Sequence, residues 1–150
     1  QTPPPDGTRA ALSAWPFRSL PKIGFVWFIG GTAALHCAGT GKAILAADYD
    51  KLRDQIGPAL TRHTDRTLTD PGALEADLGR TLKRGFAYDT GEFRDRILSF
   101  GAAITLPGGE PVGALGISLP DINMPEGGEE RFGALVAHAA RSVSAKLGSR

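Results

Sequence analysis

Leu35-His36-Cys37-Ala38-Gly39-Thr40-Gly41-Lys42-Ala43-Ile44-Leu45-Ala46 joins the end of an apolar run to the start of a helix. Gly39, Thr40 and Gly41 carry little side-chain bulk and read as a tight bend, and Lys42 to Ala47 read as the first turns of the helix. A helix start leaves backbone N–H groups without intrahelical partners, and the helix dipole adds partial positive charge there. A carboxylate or phosphate suits such a corner; an ordinary strand-to-helix turn has the same appearance. A nucleotide P-loop is a poor fit, because it needs Gly five residues before the Gly-Lys pair and Ser or Thr after it. Those places hold His36 and Ala43.

Downstream, Asp48 is placed to cap a short helix from Tyr49 to Ile56, ended by Gly57-Pro58. Thr61 to Thr69 is polar and reads as a loop. Asp70 then caps a longer helix with Pro71 at its first position. Leu74, Leu78 and Leu82 mark its buried stripe, and Gly85 its end. Phe86 to Asp89 reads as a short strand. Ile97 to Leu106 and Val112 to Leu119 read as a hairpin turned at Pro107-Gly108-Gly109-Glu110. A last helix spans about Glu129 to Leu147, with Phe132, Leu135, Val136, Ala139, Ala140, Val143 and Leu147 on one face. Upstream, Ile23 to Ile29 reads as a strand covered on both faces. Residues 1–22, with three consecutive prolines near the start, read as an arm, linker or irregular edge segment. Strands and helices mix without βαβα alternation, which points to an α+β domain over residues 23–150.

A chain of 150 residues can bury a real core. A hydrophobic content of 41% and a charged content of 22% are ordinary for a globular domain. The net charge of +1 gives no strong field toward nucleic acid. One cysteine excludes an internal disulfide and makes a reducing cytosol the simplest setting. No apolar run reaches membrane-span length, and no charged, apolar signal segment is visible. A chain starting at Gln1 rather than Met reads as a fragment or a processed piece.

The candidate chemistry is sparse. Cys37 near a helix start is open to two readings, a thiol of lowered pKa or a small buried hydrophobe. Adjacent residues on a strand point to opposite faces, so His36 does not simply act on Cys37. His36, His63 and His138 lie on separate segments, without the spacing of a metal motif. Neither a metal nor another cofactor is therefore expected. Asp89 at a strand end either caps a turn or accepts a hydrogen bond from a ligand. Ser99 and Ser118 are hydroxyls inside apolar strands, and each needs a partner there. That partner is a backbone carbonyl or, if both face one cavity, a ligand.

Four segments carry a family resemblance. The opening stretch is similar to an L-H-x-(T/S)-x-x-G-K-A-x-L-A motif. Arg66-Thr67-Leu68-Thr69-Asp70-Pro71 resembles R-T-(I/L)-T-D, and Lys83-Arg84-Gly85-Phe86-Ala87-Tyr88-Asp89 resembles R-x-G-(Y/F)-A-x-D. Gly113 to Ser118 resembles an A-(L/I)-S-(I/V)-S strand. Together, in this order, they resemble the C-terminal effector-binding domain of IclR-type transcription regulators, from roughly Gly30 onward. The resemblance implies a GAF-like or profilin-like antiparallel sheet with helices packed on it. It also implies a small organic or aromatic acid as effector, a homodimer or homotetramer, and DNA contact only through an N-terminal winged helix-turn-helix that is not among these residues. By the same resemblance the effector contacts are Gly39, Thr40, Asp89, Ser99, Gly116 and Ser118, with Phe25 and Ala33 as apolar wall. Departures from the pattern are Gly116 in place of the first pocket-strand Ser, Ser99 where many relatives have Cys, and Arg96 where they commonly have Gly. Gly116 is expected to leave extra room. The alternatives are a stand-alone GAF-like enzyme using Cys37 or Asp89, and a pure interaction domain.

Overall fold

The computed structural model describes residues 34–57 and 59–149. The expected arm over residues 1–22 and the expected strand over Ile23–Ile29 lie outside them. The described elements are α1 (Gly39–Ala47), α2 (Tyr49–Ile56), α3 (Pro71–Arg84), β1 (Ala87–Asp89), β2 (Ile97–Thr105), β3 (Pro111–Pro120), a 3-10 turn (Asp121–Asn123) and α4 (Gly128–Gly148). The architecture is α+β, with four helices packed on an antiparallel sheet of order β1-β2-β3. No helix among the described residues is long and apolar enough to cross a membrane.

Local chemistry accounts for the clearest elements. The Asp70 carboxylate accepts the Ala73 N–H at 2.8 Å, and Pro71 occupies the first turn of α3. Gly85, at φ 84°, ends that helix in the left-handed region and donates its N–H to the Thr81 carbonyl. In the β2–β3 hairpin the Leu106 N–H reaches the Glu110 carbonyl at 2.9 Å. Gly109, at φ 88°, takes the position in that turn that only glycine adopts easily.

The two faces of the sheet differ in chemistry. Phe100 and Ala102 of β2 pack with Phe86 and with Val136, Ala137 and Ala140 of α4, and Leu115, Ile117 and Leu119 of β3 lie against this cluster. Tyr88 stacks on Phe100 with ring centroids 4.5 Å apart. Alternation turns the intervening residues to the other side. These are Ala87 and Asp89 of β1, Ser99 and Gly101 of β2, and Gly116 and Ser118 of β3, which the register places opposite one another. Helix α1 lies on this small-residue face, because a Cβ at Gly101 would collide with the backbone of Gly39 and Thr40. A second apolar cluster joins α1 to α3 through Leu45, Ala46, Leu60, Leu74 and Leu78.

Several expectations are corrected. Helix α1 begins at Gly39, so the Gly39-Thr40-Gly41 bend is its first turn and the turn proper is Leu35–Ala38. Asp48 gives α2 no side-chain cap and instead lies 3.3 Å from Lys51 Nζ. Leu82 is 65% exposed, and Thr81 takes its place beside Leu74 and Leu78. Seven residues bring a helix back to within about 20° of the starting direction, whereas eight carry it about 80° away. Leu135 and Leu147 of α4 are exposed, while Gly133 and Ala137 are buried. Gly133 is where the Phe86 ring enters, and a Cβ there would collide with it. Arg96 adopts φ 61°, a left-handed conformation costing a side-chain-bearing residue about 1–2 kcal/mol. It is held by the Asp121 N–H on its carbonyl at 2.9 Å and by an ion pair with the Asp121 carboxylate at 3.2 Å.

Candidate functional site

The first turn of α1 meets β1 and β2 through a short hydrogen-bond chain. The Gly39 N–H donates to Ser99 Oγ at 3.1 Å, and the Ser99 hydroxyl donates to Asp89 Oδ2 at 2.8 Å. Asp89 Oδ1 accepts the N–H groups of Gly91 at 3.0 Å and Glu92 at 2.6 Å. One carboxylate therefore caps the turn after β1 and also anchors the serine that holds the helix start. Burial pushes the Asp89 carboxyl above its ordinary value, against the pull of Ser99, the two N–H groups and the Lys42 charge. The Gly39 N–H, expected to be free, is engaged by Ser99. Thr40 points its methyl at the place a Gly116 side chain would take, where a Cβ would stand 2.6 Å from it. The space left by Gly116 thus belongs to Thr40. Ser118 lies opposite Ser99 in the β2–β3 register and is exposed. Phe25 and Ala33 lie outside the described residues.

Lys42, one residue past the glycine turn, is the feature that sequence reasoning missed. Its side chain is fully buried. Its Nζ donates to Asp77 Oδ2 at 2.7 Å, Glu92 Oε1 at 2.9 Å and the Tyr88 carbonyl at 2.6 Å. An ammonium has three N–H donors, and all three are used. This contact ties α1 to α3, to β1 and to the loop after β1. The only available signal was a single cation in the otherwise uncharged stretch Gly39–Ala47.

The two carboxylates on Lys42 respond in opposite directions. Burial raises Asp77, but the charge and hydrogen bond of Lys42, with Arg80 at 3.0 Å, outweigh it and hold the group below its ordinary range. Burial raises Glu92 as well, and there the charges of Asp89 and Asp77 offset enough of the Lys42 attraction to leave it elevated. The second Glu92 oxygen is buried and has no hydrogen-bond partner among the described residues. Asp77 therefore contributes stability that is present above the ordinary carboxylate range and is lost as pH falls through its lowered value. For Asp89 and Glu92 the folded chain holds protons more tightly than the unfolded chain. Their contribution is complete below the ordinary value and is lost as pH rises through the raised one. The urea midpoint should accordingly fall from mildly acidic to neutral pH. Asp89→Asn, which can still accept the Gly91 and Glu92 N–H groups, should flatten that fall. An identical slope in parent and variant would remove Asp89 from this account.

His36 and Cys37 sit in the turn before α1 rather than on a strand, so strand alternation does not separate them. Cys37 is fully buried, and its thiol is pushed up to about 12 by burial, then by the charges of Asp89 and Glu92, with Lys42 opposing. A neutral thiol is a poor nucleophile. Beside this turn, a cleft of about 620 Å³ opens between the His63–Arg66 loop and Phe93–Asp95.

The model of the bacterial transcriptional regulator IclR C-terminal family matches residues 19–145. The transcriptional repressor IclR of Escherichia coli (strain K12) is 35% identical over 124 residues, which is 80% of this chain and 44% of that protein. This chain thus spans about half the length of the curated relatives it matches. The Thermotoga maritima IclR crystal structure superposes with a TM-score of 0.76 at 29% identity, over 83% of this chain and 51% of that one. An inducer-binding domain of the Acinetobacter PobR transcription factor, in complex with 3-hydroxybenzoic acid, has the same fold at 18% identity, with a TM-score of 0.71 over 87% of this chain and 76% of that one. The matching proteins are regulators of transcription rather than enzymes. The α+β architecture, the ordered motifs and this match together place the chain in the IclR family of transcription regulators, in the region of their C-terminal effector-binding domain.

Proposed function

We propose that this domain senses a small organic acid at the junction of α1, β1 and β2, and that the acid changes the assembly of a DNA-binding regulator in the cytoplasm. The observation that carries the reading is the Gly39–Ser99–Asp89 hydrogen-bond chain at the positive end of a helix. An incoming carboxylate competes with Ser99 Oγ for the Gly39 N–H. Asp89 and Ser118 then meet the hydroxyl or protonated part of the ligand. Thr40 and Gly116 complete the proposed contacts among the described residues. Releasing Ser99 loosens the tie between α1 and β2, so bound and free domains differ in the packing of that helix. Such a difference is what a ligand needs to shift a dimer or tetramer equilibrium and with it the spacing of attached DNA-binding heads. The fold is one in which PobR holds an aromatic hydroxy acid, and this chemistry suits the mixed N–H, hydroxyl and carboxylate lining.

Calorimetry against 2-oxo acids, aromatic acids and their amides tests the site. A Cβ at Gly39 would stand 2.9 Å from both the Ser99 carbonyl and Ser99 Oγ. Gly39→Val should therefore weaken every acid by roughly 100-fold, as loss of a charged hydrogen bond and clearance would. Asp89→Asn should change which acids bind rather than weaken all equally. If Gly39→Val, shown folded by circular dichroism, binds the acids like the parent, the pocket lies elsewhere.

A further inference from the structure

The turn before α1 and the loop before α3 bring together three side chains that the effector reading does not use. One ligand atom from each of His36, Cys37 and His63 lies within 4.8 Å of the others. We propose that His36, Cys37 and His63 form a three-ligand site for a borderline transition-metal cation, with Zn²⁺ the best fit. Two imidazoles and a thiolate are a donor set that zinc favours, and three protein ligands leave a fourth position for water or an anion.

The support is geometric. His36 Nε2 lies 2.8 Å from the Thr61 carbonyl, which can only accept, so Nε2 is the donor and Nδ1 is the nitrogen left to face a metal. A backbone carbonyl on the non-ligating nitrogen is the usual support of a metal-binding imidazole. The His63 ring lies 5.8 Å from that of His36 and edge-on to Phe93 at 5.3 Å.

Its loop is pinned in place. Thr67 Oγ1 accepts the His63 N–H at 3.0 Å and donates to the Glu92 carbonyl at 2.6 Å, while Thr64 Oγ1 donates to the Gly91 carbonyl at 2.7 Å. Ligand atoms around tetrahedral zinc stand about 3.3–3.7 Å apart, so closure needs a movement of about 1 Å. His63 is exposed and free to make it.

On binding, the Cys37 S–H bond breaks, the sulfur–metal bond forms and the proton leaves to solvent, with no change of oxidation state. His63 also lines the neighbouring cleft.

Tag-free protein, stripped with a chelator, is titrated with Zn²⁺ and separately with Co²⁺. One metal per chain should bind, and Co²⁺ should give a thiolate-to-metal charge-transfer band in the near ultraviolet. Cys37→Ser should abolish that band. His63→Ala, at an exposed position outside both apolar clusters, should weaken Zn²⁺ by roughly 100-fold or more. His138→Ala, exposed on α4, should bind as the parent does. Absence of stoichiometric uptake, a cobalt spectrum without the band, or unchanged affinity in His63→Ala would each overturn the site. None of these outcomes depends on an organic acid, so this test stands apart from the effector reading.

Discussion

A Lys42→Met variant should lose about 3–5 kcal/mol of stability, the range for removing one partner from a buried ion pair. Small domains have only about 5–15 kcal/mol in total, so this is a large share of the whole and should show as a much lower urea midpoint. Methionine fills most of the lysine volume, and the loss is therefore not chiefly a cavity. It comes from Asp77 Oδ2, Glu92 Oε1 and the Tyr88 carbonyl, three buried acceptors 2.6–2.9 Å from the missing ammonium. Lys42→Arg should not rescue it, because a planar guanidinium cannot address three acceptors converging on one point. A triple variant, Lys42→Met with Asp77→Leu and Glu92→Met, should recover much of the loss, since well-packed apolar replacements of whole buried ion clusters are often neutral. Urea unfolding of the single and triple variants checks both statements. A single variant as stable as the parent would mean that this cluster does not hold α1 in place.

The legible elements and the illegible ones differ in the range of the interactions behind them. Helix α3 is readable because Asp70, Pro71 and Gly85 act on their own neighbours. The β2–β3 hairpin is readable because Gly109 and the alternating strands carry local instructions. The start of α1 is not, because Gly39 and Gly41 look like a bend although their smallness serves packing. A Cβ on Gly41 would meet the Ala34 carbonyl at 2.7 Å, and one on Gly39 would meet Ser99, sixty positions on. Lys42 is hidden for the same reason, with partners 35 and 50 positions away. The pairing of Asp89 with Ser99 is visible only once the β1–β2 register is known. His36 and His63 form no spaced motif, and the fold alone brings their rings together. The family motifs pointed to the region proposed here as the effector site without showing that Ser99 occupies the Gly39 N–H.

Gly101→Ala should be the most damaging single-methyl addition in the described residues and should abolish acid binding as well. The added Cβ would collide with the Gly39 carbonyl and the Thr40 nitrogen, which are backbone atoms of α1 and cannot rotate aside. Helix α1 must then lift from β2, stretching the Gly39–Ser99 hydrogen bond and the Lys42 contacts together. Overpacking in a core costs about 1–3 kcal/mol where side chains can yield, so a backbone collision should reach or exceed the top of that range. Gly79 supplies the contrast. It lies within α3, and a Cβ there meets nothing within 4 Å. Gly79→Ala should therefore stabilise the domain by about 0.5–1 kcal/mol, because alanine restricts the unfolded chain and favours the helix. The same methyl group is thus expected to act with opposite sign at two glycines, and urea midpoints of the two variants measure the difference directly. If Gly101→Ala proves as stable as Gly79→Ala, α1 does not rest on β2 at Gly39. The hydrogen-bond chain on which the proposed effector site depends would then lose its footing.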